Sequence, residues 1–500
     1  MVLWRRSLRV VLVLSPLVLI VPVFAQSPAP NPTCEPWAAR LISYQGTLSS
    51  RRVSGFQQAS VRLNETFCVG DVLEIGTFSR AALQLPDQTV VRLDQGTVVT
   101  FAAPKDDKRT WLEILKGAVH IISRDPRALR VITPFANAGI EGTEFLVQVS
   151  ADSTTVLVFE GRVSVQNPGG AATAGSGESV LAKAGRAPVL QQVVRPRDAV
   201  VWTLYFPPIS TGLLSAADAE PPAGQADVEF YIGRAERRLG VGQVAGAEAD
   251  LQQALVLAPG SGEVLARQSI IALTQNDTGE ALRLADQAVA AAPDSTAAYL
   301  ARSYARQARF NLPGALEDLQ AAADAHPDNA LVQARLAEMW LATGEVQRSE
   351  QSARAAVAAD PELALARTVL GFVHLRQVQL RPAAEAFDEA IRLNPDDPLP
   401  RLGRGLTTIR RGNLAAGRAE IENAVILNPS TSLLRSYVGK AYFDERRSAL
   451  SASQFDLAQE LDPKDPTPWF YAALLEQATN DPVGALQSIS TAIDLNDNRA

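Results

Sequence analysis

Reactive side chains are scarce in this chain of 500 residues, which has only three histidines, two cysteines and two methionines. His120, His326 and His374 lie far apart without the spacing that gathers ligands round a metal, so they read as ordinary structural histidines. Positive charge is in deficit too. The formal balance is −7 with no basic patch, which excludes nucleic acid as a partner. The glycine-rich stretch Pro168-Gly169-Gly170 to Gly175-Ser176-Gly177 lacks the Gly-Lys-Ser/Thr ending of a phosphate loop and reads as a flexible loop between strands. Paired acids such as Asp396-Asp397 fall at turns where Asp favours the start of a helix. Catalytic, cofactor-binding and metal-ligating residues are therefore all expected to be absent, and the chain reads as a non-enzymatic binding protein.

Apolar residues are plentiful, at 47% against 20% charged, which is enough for two or three globular domains. The first 25 residues stand apart: Arg5, Arg6 and Arg9 precede an apolar run from Val10 to Phe24 that ends in Val23-Phe24-Ala25. This is the pattern of a secretory signal peptide cut after Ala25. A retained anchor is the competing reading, but about 15 apolar residues broken by Pro16 and Pro22 fall short of the roughly 20 needed to span a bilayer. No later stretch qualifies either. The mature chain is thus expected in the periplasm or cell envelope, with its formal charge moved from −7 to −10 by the loss of three arginines. In that oxidising setting Cys34 and Cys68 are expected to pair, against two free buried thiols, closing a loop worth roughly 4 kcal/mol in the chain-entropy model. A thiol nucleophile is then not expected.

From about Cys34 to Phe206 the hydrophobic period is 2, as in Phe145-Leu146-Val147-Gln148-Val149 and Val163-Ser164-Val165, which marks an all-β domain. Strand-turn-strand units recur at Asp94-Gln95-Gly96, Leu115-Lys116-Gly117 and Phe159-Glu160-Gly161. They predict stacked hairpins in a sandwich or β-roll, each glycine taking a turn conformation that other residues resist. Several segments resemble the FecR domain, a family named for an extracytoplasmic regulator of ferric citrate uptake. They are Val69-Gly70-Asp71, the run Leu83 to Leu93, Val131-Ile132-Thr133-Pro134, Gly142-Thr143-Glu144-Phe145 and Val158-Phe159-Glu160-Gly161-Arg162-Val163. FecR-type regulators carry a cytoplasmic segment and a membrane span before this domain. Here a signal peptide precedes it, so the resemblance implies an extracytoplasmic sensing or assembly module and not direct sigma-factor control. The stretch from Val194 to Trp202 is similar to the junction that precedes repeat arrays in such proteins, and residues 207–226 form a linker rich in Pro, Ala and Gly.

Beyond the linker, Pro259, Pro293, Pro327, Pro361, Pro395, Pro429 and Pro463 follow one another at intervals of 34 residues. Five residues before each proline stands alanine, from Ala254 to Ala458, and the step continues to Ala492. Twelve before stand Ala247, Ala281, Ala315, Ser349, Ala383, Gly417, Ser451 and Ala485; twenty-four before stand Ala235, Ser269, Ser303, Ala337, Gly371, Gly405, Gly439 and Ala473. Small side chains at fixed positions let antiparallel helices approach closely, and proline ends each unit. The pattern resembles the tetratricopeptide (TPR) family and implies an all-α solenoid of about eight helix pairs over residues 227–500. The family's early aromatic is replaced by Gln333, Arg367, Arg401 and Arg435 in the middle repeats. A stacked array needs a polar terminal face, and the natural chain is expected to continue past Ala500.

In TPR proteins the first helix of each pair lines a concave groove. By register the resemblance places Ile270, Tyr304, Glu338, Phe372, Leu406, Lys440 and Leu474 there, flanked by Leu300, Leu402, Ile409, Arg376 and Arg410. For any one of the apolar members, packing between repeats is the competing role. A protein or peptide partner with some negative charge fits this surface. The expected function is an envelope scaffold that holds such a partner, with an accessory role in extracytoplasmic signalling or outer-membrane transport as the alternative.

Overall fold

The computed structural model describes residues 36–53, 57–58, 61–87, 89–102, 110–123, 129–140, 144–193, 206–210, 227–429 and 431–495. The expected signal peptide, Cys34, the junction at 194–202, linker residues 211–226 and the end at 496–500 lie outside the described residues. Cys68 is disulfide-bonded.

The N-terminal part is all-β, as its alternation predicts. Its strands are β1 (Ala39–Gln45), β2 (Leu48–Arg51), β3 (Gln57–Gln58), β4 (Thr66–Phe67), β5 (Val72–Ile75), β6 (Arg80–Gln84), β7 (Val90–Leu93), β8 (Val98–Ala102), β9 (Thr110–Ile122), β10 (Leu129–Ile132), β11 (Asn137–Ile140), β12 (Glu144–Val149), β13 (Ser153–Glu160), β14 (Arg162–Asn167), β15 (Gly170–Gly175), β16 (Glu178–Lys183) and β17 (Val189–Gln192). They fold into two layers. One runs β4-β1-β6-β7-β9-β12-β13-β16-β17, the other β3-β2-β5-β8-β9-β10-β11-β14-β15. Between them Leu41, Leu73, Leu83, Val99, Leu112, Val119, Val147 and Val156 are fully buried.

β9 belongs to both layers. Its first half pairs with β8 and, in parallel, with β10; from Gly117 onward it pairs with β7 and β12. Gly117 makes the transfer, with φ +95° and a hydrogen where a Cβ would come within 2.5 Å of the Thr97 Cα. This corrects the expected hairpins. Gly96 and Gly161, with φ of 65° and 88°, are corners at which the chain leaves one layer for the other, from β7 to β8 and from β13 to β14. Period 2 reveals which side chains point inward but not which sheet a strand joins. The glycine-rich stretch after Pro168 is likewise ordered: it contains β15, paired along its length with β14.

Asp94 lies at the β7–β8 corner, where burial pushes its carboxyl up from 3.8 to about 6. The folded domain therefore holds this proton more tightly than the unfolded chain, so stability is greatest below pH 4 as far as this group is concerned and falls as pH rises through 6. At about 1.4 kcal/mol per pH unit, the loss is bounded at about 3 kcal/mol. Urea midpoints of Asp94→Asn should lack this decline, leaving the variant more stable than the wild type at pH 8 and not at pH 4.

The C-terminal part is a run of helix pairs: α1 (Val228–Gly240) with α2 (Val244–Leu257), α3 (Gly262–Thr274) with α4 (Thr278–Ala291), α5 (Thr296–Ala308) with α6 (Leu312–Ala325), α7 (Ala330–Ala342) with α8 (Val346–Ala359), α9 (Ala364–Arg376) with α10 (Leu380–Leu393), α11 (Pro398–Arg410) with α12 (Leu414–Leu427), α13 (Ser432–Asp444) with α14 (Ser448–Leu461) and α15 (Pro466–Ala478) with α16 (Pro482–Asp494). The alanines before the prolines are buried throughout. The two other small positions face each other in the second, fourth, sixth and seventh pairs. Ser269, Ser349 and Ser451 donate to Ala281, Ala337 and Gly439 carbonyls over 2.7, 2.7 and 2.9 Å, and a Cβ on Gly405 would approach the Gly417 carbonyl to 2.7 Å. Gly405→Ala thus sets a helix-propensity gain of about 1 kcal/mol against overpacking of roughly 1–3 kcal/mol. Because the obstacle is backbone, overpacking wins, and thermal unfolding should show a less stable variant. In the first and third repeats the buried Asp250 and Asp318 each bind two arginines of the first helix, Arg234 with Arg238 and Arg302 with Arg306. Among the described residues no helix is long and apolar enough to cross a membrane.

Candidate binding groove

The first helices α7, α9, α11, α13 and α15 line a trough of about 390 Å³. Six of the register-predicted groove residues converge in it: Phe372, Leu406 and Lys440 with the flanking Arg376, Ile409 and Arg410. Tyr437 and Tyr471, which the register does not place there, join them. The floor is built from beneath. Phe387 on α10 is fully buried and meets Phe372 edge-on at 4.9 Å between ring centres. At the rim Arg376 is exposed, Arg410 donates to the Leu375 carbonyl at 2.9 Å, and Lys440 pairs with Asp444 at 2.6 Å. Three cations against one acid give a trough that is apolar below and positive above. Leu474 is half-buried on α15 and does not line it.

The other predicted positions are occupied by the protein itself. Tyr304 lies under the guanidinium of the fully buried Arg335, 3.6 Å from its ring centre, and burial pushes its hydroxyl well above the usual range. Glu338 completes this stack by pairing with Arg335. Leu300 and Leu402 are buried and pack between repeats. Ile270 is also buried, beneath Phe206, the last residue of the expected β domain, and linker residues Pro207 to Ser210. Ile209 of this linker enters the core of the second and third repeats. The Ser210 hydroxyl donates to Glu236 on α1 at 3.0 Å.

The β domain docks on the array near its fifth and sixth repeats. Ser43 on β1 donates to Asp396 at 2.6 Å, Arg80 on β6 forms a buried ion pair with the same carboxylate, and Arg401 on α11 donates to the Ile42 carbonyl. Ile42, Ala82 and Val90 pack against Ile426. Asp397 caps α11, as its turn position predicts, by accepting from the Leu399 amide. Its neighbour Asp396 instead serves the β domain. The same division appears among the residues that replace the family's aromatic. Gln333, Arg367 and Arg435 reach back to the carbonyls of Pro327, Pro361 and Pro429, six residues earlier. Arg401, the remaining member of the four, turns to the β domain.

The histidines all engage protein groups. His120 contacts Glu144 at 3.0 Å, His326 the Asp294 carbonyl at 3.3 Å and His374 Gln379 at 2.7 Å. Among the described residues no cluster of His, Cys, Asp and Glu could hold a metal ion.

Comparison with known proteins agrees with this architecture. The family model described as FecR protein matches residues 71–164, and the tetratricopeptide repeat model matches residues 232–296, 299–364 and 402–466. Neither is an enzyme family. No curated protein matches the chain. Among solved structures it is similar to the APC/C hetero-tetramer Cut9–Hcn1, at 12% identity and TM-score 0.42, covering 54% of this chain. It spans only 50% of the length of that protein. It is also similar to pilF of Pseudomonas aeruginosa, at 20% identity and TM-score 0.30 over 38% of this chain and 87% of that one. A putative anti-sigma factor from Parabacteroides distasonis matches at 20% identity and TM-score 0.24, over 27% of this chain and 67% of that one.

Proposed function

Since the chain is a FecR-domain protein with C-terminal tetratricopeptide repeats, a pairing that points to protein–protein interaction and a regulatory role, we propose that it is an exported, non-enzymatic scaffold of the cell envelope. The repeat trough captures a peptide segment of a protein partner, and the β domain contacts a second component of the same assembly. The observation that carries this reading is the convergence of Phe372, Leu406 and Tyr437 below Arg376, Arg410 and Lys440. An apolar floor takes up a side chain from an extended peptide or amphipathic helix, and the cations favour an acidic partner. The signal-peptide pattern before Ala25 supports export, with the mature chain in the periplasm.

The test uses the tagged full-length protein and its Arg410→Glu variant as baits in envelope extracts. A partner retained by the wild type and lost by the variant supports the proposal, whereas identical captures by both would refute it. Export is checked by the mass of the protein from the periplasmic fraction, which should begin at Gln26. The FecR match favours one further reading, regulation of an uptake system. On that reading deletion of the gene changes transcription of an uptake operon.

A further inference from the structure

Residues Phe206 to Ser210 read Phe-Pro-Pro-Ile-Ser and lie against the first helices of the N-terminal repeats as a bound peptide would. Ile209 is 6% exposed and packs in the cluster that holds Ala266 and Ile270 of α3. Phe206 bridges that cluster and the one formed by α1 and α2. The Tyr304 hydroxyl stands 3.5 Å from the Pro208 carbonyl. Ser210 donates to both oxygens of Glu236, at 3.0 Å each, and Glu236 is itself fixed by the buried Arg267, whose Nε lies 2.8 Å away. Arg267 is held in turn by Glu263, at 2.5 Å. The receiving carboxylate is thus pre-oriented by a buried cation, and two consecutive prolines hold the segment extended with little ordering cost.

A cavity of about 520 Å³ remains beside this segment, roofed by Tyr44, Gln45 and Gly46 of the docked β domain. The roof is held by the contacts of Ser43 and Arg80 with Asp396. We infer that Phe206–Ser210 is an internal ligand which, under the docked β domain, closes the first half of the groove to outside partners. The partner that replaces it is an extended, proline-containing peptide with an aliphatic residue followed by a hydroxyl-bearing one. A tethered segment competes at an effective concentration of about 1 mM. A site with an intrinsic Kd of about 0.1 mM is then filled in cis roughly ten to one, and an outside peptide is weakened about tenfold.

The test is isothermal titration of full-length protein with a capped Phe-Pro-Pro-Ile-Ser pentapeptide. Ile209→Asp, which expels the internal segment, should bind it at least tenfold more tightly than the wild type. A pentapeptide with Asp in place of Ile should bind neither. Ser210→Ala, which leaves the apolar contacts intact, should give a smaller gain in the same direction, and Asp396→Ala, which loosens the roof, should give one as well. Should Ile209→Asp lose helical circular dichroism, Ser210→Ala decides. Equal affinities for the wild type and every folded variant, or no binding by any of them, would overturn the inference. The result is independent of envelope capture through Arg410, because the segment's own contacts are on α1, α3 and α5 whereas Arg410 stands on α11, and either experiment can fail alone.

Discussion

Phe387→Ala is expected to cost the array about 3–5 kcal/mol, the range for deleting a buried aromatic ring from a close-packed interior. The ring is fully buried, and the sequence has made room for it on two sides. A Cβ on Gly371 would lie 2.6 Å from it and one on Gly403 2.2 Å from it, so neither helix could come as close with alanine in place. Backbone on both flanks also limits how far the void can collapse, which places the cost toward the upper end of the range. Since Phe372 rests on this ring, the trough floor should loosen together with the fold. Stacked repeats interact chiefly with their neighbours, so hydrogen exchange should accelerate first in α9, α10 and α11 while α3 and α4 keep their protection. Uniform acceleration along the array would contradict this assignment.

Arg52→Ala should destabilise the β domain by a similar amount, about 3–5 kcal/mol, because it leaves two buried carboxylates without their cation. The Arg52 side chain is 7% exposed and pairs with Glu65 and Asp71, which are 4% and 1% exposed. Asp71, the acid of the Val69-Gly70-Asp71 segment, also accepts from the Val53 amide at 3.0 Å and the Cys68 amide at 2.8 Å. It therefore joins the loop after β2 to the one before β5, and the guanidinium fork ties both to Glu65. Lysine would retain the charge but not the fork, so Arg52→Lys should fall between alanine and the wild type. Urea unfolding followed by far-ultraviolet circular dichroism, with the two domains' transitions fitted separately, measures this. An Arg52→Ala midpoint equal to that of the wild type would remove the triad from the account of stability.

Legibility in the sequence followed periodicity. A 34-residue register fixes every small position of the array, because helix contact at each crossing is repeated identically and each repeat restates the same constraint. Six trough residues were found by the same means, since they recur on one helix face. What escaped was contact made once. Ser43 and Asp396 are 353 residues apart. Arg401 is one of four polar residues at a single register position, and nothing in its local sequence distinguishes it from Arg367 or Arg435. Ile209 lies in a stretch whose proline and alanine content reads as a spacer, yet its side chain is buried. The layer changes at Gly96, Gly117 and Gly161 escaped for a related reason, since a left-handed glycine serves a tight hairpin and a corner between sheets equally well.

Solenoids of stacked hairpins behave as springs: small rotations at successive joints add up, so the curvature of a free array is set by many weak, independent adjustments. Among the described residues the β domain meets the coil at both ends of an arc, with Gln45 of β1 beside Gly240 of α1 and with β1, β6 and β7 against the turn before α11 and Ile426 of α12. It spans the arc between them as a string spans a bow. The bend of the first six units is then fixed by the length of a rigid brace and no longer by the sum of their joints, while the remaining two flex at their own joints.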